Sequence, residues 1–111
     1  MKRVYKMEAY IQVVTTAGEK RDAEKIARTL VENKLAACVQ ILGPIISTYR
    51  WKGSIETAEE WQCVIKSRKS LYNDIEKAIK SVHPYEVPEI IATAIAAGSG
   101  DYLDWLQGEL V

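Results

Sequence analysis

Residues 45–66 read IISTYRWKGSIETAEEWQCVIK, two runs of β-branched and aromatic residues broken once, at Lys52-Gly53. Ile45 to Lys52 and Ile55 to Lys66 flank that short glycine turn, which is the pattern of a long β-hairpin. The first arm extends backwards through Leu35 to Leu42, a second apolar stretch separated from Ile45 by Gly43-Pro44. Proline has no amide to give a ladder, so a bulge or bend is expected there.

Outward from the hairpin, the remaining elements fall into place by period. Upstream, Ala9 to Thr16 (AYIQVVTT) reads as a strand with apolar residues on both faces: Ala9, Ile11 and Val13 on one, Tyr10 and Val14 on the other. Gly18 breaks it, and Thr16-x-x-Glu19 has the form of a capping box. Ala23, Ile26, Ala27, Leu30 and Val31 then recur at helical spacing. Downstream, Ser67 or Ser70 is placed to cap a second helix with Leu71, Ile75, Ala78, Ile79 and Val82 on its apolar side. His83-Pro84 ends that helix. Glu89 to Ala97 is expected as the last strand, and a short helix is expected around Asp101 to Leu106.

The order βαββαβ with a small C-terminal helix gives an α+β, ferredoxin-like sandwich, a single domain over residues 1–111. Both long helices should cover one face of the sheet. Tyr10, Val14 and the IIATAIAA run of residues 90–97 leave the other face more apolar than a soluble monomer needs, which marks a subunit interface.

Composition closes several alternatives. Lys plus Arg and Asp plus Glu both number 15, so the basic excess of a nucleic-acid binder is absent. The longest charge-free stretch, residues 35–49, contains Gly43 and Pro44 and falls short of the roughly 20 apolar residues of a membrane span. The basic residues at Met1 to Lys6 are followed by no apolar signal core, so a soluble, cytoplasmic protein is expected. Cys38 and Cys63 form no Cys-x-x-Cys pair. In the hairpin, Cys63 should face position 42 to 44, leaving Cys38 some ~13–20 Å away along its strand. Both are read as free thiols.

Four stretches, in this order, resemble the CutA (divalent-cation-tolerance) family. They are Lys34-Leu-Ala-Ala-Cys-Val39; Tyr49-x-Trp51-x-Gly53-x-Ile55 followed by Glu60 and Ile65-Lys66; His83-Pro-Tyr-Glu-Val-Pro-Glu89; and Tyr102-Leu-x-Trp105. The resemblance implies a tight homotrimer of ferredoxin-like subunits connected with tolerance of divalent cations, copper above all, and implies no reaction. It also implies an inter-subunit cleft, to which we assign Tyr49, Trp51, Glu60, Lys66, Tyr85, Tyr102 and Trp105. Some bacterial members carry a cysteine near the end of the first strand and two consecutive histidines before Pro-Tyr. Here Thr15 and Thr16 stand at the first position, and Val82 precedes the lone His83 at the second. His83 is therefore the single candidate metal ligand, and Cu²⁺ or another divalent cation is expected to bind weakly.

Other residues are weighed on their own chemistry. The aromatics suit core and interface packing or a cleft for a planar or cationic ligand. Glu56 and Glu59 read as solvated edge charge, and Glu86 and Glu89 flank Pro88. Lys66, Arg68 and Lys69, ahead of the second helix, are a candidate anion site. The competing reading is a PII-like small-ligand or anion-sensing signalling trimer; an acylphosphatase-like hydrolase would need an arginine-bearing anion loop that residues 15–21 resemble only faintly. No catalytic residue, no nucleic acid and no membrane partner is assigned.

Overall fold

The computed structural model describes residues 9–111; the basic stretch Met1 to Lys6 lies outside the described residues. β1 (Tyr10–Ala17) is the strand on which the sheet is built. β3 (Ser54–Arg68) pairs along one edge, from Tyr10↔Arg68 to Ala17↔Trp61, and β4 (Ile91–Ala94) along the other, from Ile11↔Ala94 to Val14↔Ile91. β2 (Cys38–Trp51) completes the sheet beside β3. The order β2-β3-β1-β4, antiparallel throughout, is the ferredoxin-like arrangement expected from the element order.

Alternation along the strands separates the two faces. Ile11, Val13 and Thr15 lie on one, directly opposite Ser67, Ile65 and Cys63 of β3. α1 (Lys20–Glu32) buries Ala23, Ile26 and Leu30, and α2 (Tyr72–Val82) buries Ile75 and Ile79. These side chains join the strand residues in one buried cluster. Burying each large aliphatic side chain contributes about 1.5–3 kcal/mol. Thr15 is the exception in this layer: it is fully buried, and its Oγ1 has no hydrogen-bond partner among the described residues.

The other face differs from expectation at Tyr10. Rather than standing on an uncovered apolar surface, Tyr10 is buried, because α3 (Gly100–Gly108) folds over that end of the sheet. Tyr10 Oη donates to Gln107 Oε1 at 2.5 Å, and Leu103 and Leu106 join the core. Val14 is half-buried, and Ile91 on the β4 edge is 56% exposed.

Three local expectations are corrected. Glu19 stands at the N-cap of α1 with no side-chain cap bond; its carboxylate pairs with Arg21 at 2.6 Å instead. Ser67 and Ser70 do not cap α2. Ser67 Oγ donates to the Leu35 carbonyl at 2.6 Å, Ser70 Oγ accepts from Arg68, and a 3-10 turn at Lys69–Leu71 leads into the helix. The last strand is four residues long rather than nine. The Ile95 amide still reaches the Tyr10 carbonyl at 3.0 Å, at the first residue of β1. At the other end, the Thr16 carbonyl that would continue the ladder is engaged by His83.

The hairpin turns at Lys52 (φ 49°) and Gly53 (φ 84°), two left-handed residues that suit a two-residue turn. The expected irregularity is present: the β2–β3 register shifts between Leu42 and Ile45, and the Gly43–Pro44 bond is cis. A Cβ on Gly43 would stand 2.6 Å from Trp61 Cε3, so only glycine lets the bulge lie against that indole. Beyond the bulge the hairpin leaves the body of the domain. The extents are 57 × 25 × 23 Å, and the radius of gyration is 15.1 Å. A compact chain of this length would have about 13 Å.

Cys63 faces Ile41, one residue from the expected position, because the bulge takes up a residue of β2. Both cysteines are free. Cys63 is fully buried, its thiol directed at the Ala23 carbonyl, and desolvation pushes its pKa up to about 11. At pH 8 about one Cys63 in a thousand is then thiolate. A thiol reagent should therefore modify Cys38 first in the native protein and reach Cys63 only on unfolding, as peptide mapping after timed alkylation would show. Thr15→Val keeps the shape and removes the unpaired hydroxyl, so urea denaturation should show a gain of about 1 kcal/mol.

Candidate functional site

β1 ends at Ala17, opposite Trp61, so the edge of β3 beyond that point has no neighbour from β1. The segment after α2 crosses this place. His83 fixes it: Nδ1 accepts the Tyr85 amide at 3.1 Å, which leaves the ring proton on Nε2, and Nε2 donates to the Thr16 carbonyl at 2.8 Å. Pro84 and Pro88 stiffen the segment, and the Tyr85 ring lies 4.7 Å from the imidazole.

So positioned, Tyr85 Oη donates to Glu60 Oε2 at 2.8 Å. Glu60 is only 6% exposed, and the hydrogen bonds of the described residues give its carboxylate this single partner. Burial, then the bond to Glu60, then the negative field of that carboxylate hold the Tyr85 phenol well above the usual tyrosine range. A cavity of about 790 Å³ opens around the pair. Its walls include Tyr49 and Trp51 from the hairpin, and Glu86 and Glu89 from the segment after His83.

The structure thus brings together four of the seven expected cleft residues, Tyr49, Trp51, Glu60 and Tyr85. The other three lie elsewhere on the chain. Lys66 Nζ donates to Gln40 Oε1 at 2.5 Å, and the Tyr102 and Trp105 rings pair on α3 with centroids 5.5 Å apart. The three residues of the candidate anion site have these surroundings. Lys66 is engaged by Gln40, Arg68 donates to Ser70 Oγ and to the Val111 carbonyl, and Lys69 sits in the 3-10 turn.

Both ring nitrogens of His83, the single candidate metal ligand, are engaged by hydrogen bonds within the chain. No group of three or more His, Cys, Asp or Glu side chains able to hold a metal ion occurs among the described residues. A copper site built within one chain does not fit these residues. Thr16, Ser47 and Thr48 also line the cavity and were not singled out as site residues by sequence. For Ser47 the signal was the spacing of the hairpin, since it stands two residues from Tyr49 and therefore on its face; Thr16, on β1, and Thr48 had no such signal.

Comparison with known proteins agrees with this architecture. The CutA1 divalent ion tolerance protein family matches residues 11–109. A divalent-cation tolerance protein CutA of Thermus thermophilus is 40% identical over 95 residues, covering 86% of this chain and 92% of the relative. The chain spans about half the length of other curated relatives from plants and mammals. Among solved structures, CutA1 from Oryza sativa superposes with a TM-score of 0.91 at 36% identity, covering 95% of this chain and 96% of the other. CutA1 from the psychrotrophic Shewanella sp. SIB1 gives 0.89 at 42% identity, covering 96% and 98%.

Tyr85→Phe leaves the Glu60 carboxylate buried without its donor and should cost about 1–3 kcal/mol at pH 7 by urea denaturation. The folded-state pKa of Tyr85 is raised, so its contribution is fully present below the unfolded value near 10 and is lost as pH rises beyond it. The gap between native protein and variant should accordingly narrow above pH 10; a widening gap would mean the phenol is not protected.

Proposed function

Because the chain belongs to the CutA1 divalent ion tolerance family, we propose that it acts in divalent-cation tolerance as a homotrimeric binding protein rather than a catalyst. The observation that carries this reading is the protruding hairpin. Ile46 is 70% and Ile55 67% exposed on an arm that no other described element covers, and among the described residues both edges of the sheet, β2 and β4, are open. Apolar surface of this kind seeks a partner, and a closed ring of three copies covers every edge where an open chain would propagate into filaments. The functional surface on this reading is the cavity around Glu60 and Tyr85.

The residues present support weak rather than tight metal binding. A cation reaching His83 would have to break both of its hydrogen bonds, so Cu²⁺ meets no ready imidazole. The anion-sensing alternative has less support, since glutamates line the cavity and Lys66 and Arg68 are engaged elsewhere. No described helix is long and apolar enough to cross a membrane, and two free thiols suit a reducing cytoplasm.

Sedimentation equilibrium at micromolar concentration should return about three times the chain mass of 12.5 kDa. Ile46→Asp and Ile55→Lys charge positions that are exposed in the single chain, so they should shift the protein toward monomer while leaving it folded. A clean monomer for the native protein would overturn the assembly. Calorimetric titration with Cu²⁺ should give the same weak affinity for native protein and His83→Ala; lost binding in the variant would restore His83 as a ligand. Expression in a copper-sensitive strain should raise the Cu²⁺ concentration tolerated, and unchanged sensitivity would count against the tolerance role.

A further inference from the structure

We propose that the cavity around Glu60 is a binding site for an organic ammonium ion bearing N–H groups, of the alkylamine class. The inference rests on the cavity being the functional surface, as read above, and adds the chemistry of what enters it.

Charge is the first observation. Glu60, Glu86 and Glu89 line the cavity, and among the described residues no lysine or arginine does. Charge alone would suit a metal ion equally well, but the remaining walls do not. Tyr49, Trp51 and Tyr85 present aromatic rings, which offer a hard inorganic cation no useful ligand and offer an ammonium ion the face of a quadrupole. Trp51 already holds an ammonium in this way, since Lys52, which is outside the lining, places its Nζ 5.5 Å from the ring centroid. Size points the same way. About 790 Å³ is far more than a bare ion fills and lies within the roughly 300–1,000 Å³ of small-molecule sites.

Glu60 sets the polar end. It is more than nine-tenths buried, Tyr85 satisfies Oε2, and no described residue donates to Oε1. Oε1 is therefore the part of this largely buried carboxylate left for a donor entering the cavity. An ammonium N–H supplies both the donor and the countercharge, whereas a quaternary ammonium supplies only charge. The alkyl chain of the ligand would then run along the rings toward the rim, where Glu86 and Glu89 can meet a second positive group.

Isosteres on the assembled protein test this. Butane-1,4-diamine, butane-1,4-diol and succinate share a four-carbon length and differ in charge, and tetramethylammonium carries charge without N–H. Calorimetry or ligand-observed NMR should show the diamine binding at least about tenfold tighter than the diol, the ratio expected of one charge-assisted hydrogen bond. Tetramethylammonium should fall between them, and succinate should not bind. Glu60→Gln should weaken the diamine about tenfold and leave the diol unchanged. Tyr49→Leu, which keeps apolar volume and removes the ring, should weaken tetramethylammonium as well as the diamine. Equal binding of diol and diamine, tighter binding of succinate, or displacement of the diamine by millimolar Mg²⁺ would each overturn the proposal. A protein that sediments as a trimer and supports copper tolerance but ignores the diamine would overturn this inference alone and leave the tolerance reading intact.

Discussion

The bulge at Gly43-Pro44 is the constraint from which the rest of the hairpin follows. Below it, Cys38 faces Lys66 and Gln40 faces Val64, so even-numbered residues of β2 share a face with even-numbered residues of β3. Above it, Ile45 faces Glu60, Tyr49 faces Glu56 and Trp51 faces Ser54, so odd-numbered residues of β2 now share that same face. One extra residue has changed the parity of the strand. Without it, Ile46, Thr48 and Arg50 would stand beside Glu60, and the two aromatic walls of the cavity would turn to the other side. The change is possible because position 43 is glycine, which admits the Trp61 ring where a Cβ would collide with it.

The second constraint is the Thr16 carbonyl. It stands where the β1–β4 ladder would continue, and His83 takes it. β4 stops at four exposed residues, short of this point, and the contact anchors the segment that delivers Tyr85 to Glu60. A longer strand and a positioned Tyr85 therefore compete for one acceptor. The imidazole, read from sequence as a metal ligand, is the group that settles the competition.

Much of this was legible before any coordinates. Element order, hairpin turn, bulge position and the helix faces follow from periodicity, glycine and proline, because these are local properties of the chain. What sequence missed is long-range and polar. That Ser67 turns to Leu35 instead of capping α2, or that Gln107 reaches across to bury Tyr10, depends on which distant groups arrive nearby. The cleft was half legible for the same reason. Tyr49, Trp51 and Glu60 are linked by hairpin register, and Tyr85 joined them through a family motif. Lys66 lies on the same face as Glu60 but six residues along β3, roughly 20 Å at strand spacing, too far to share a cavity within one chain.

Parity also explains how one hairpin can carry two functions without conflict. Ile46 pairs with Glu59 and Ile55 with Arg50, which places both isoleucines on the face opposite Tyr49, Trp51 and Glu60. The isoleucine face offers apolar surface that no other described element covers, the chemistry proposed for an interface between copies. The other face offers rings and a buried carboxylate, the chemistry of a small cationic ligand. In a two-residue alternation these sets cannot mix. On the proposed reading, assembly and ligand recognition would therefore be separable by substitution on one arm. A ligand seated between Tyr85 and Trp51 would also brace the hairpin against the segment after α2, since one wall belongs to each.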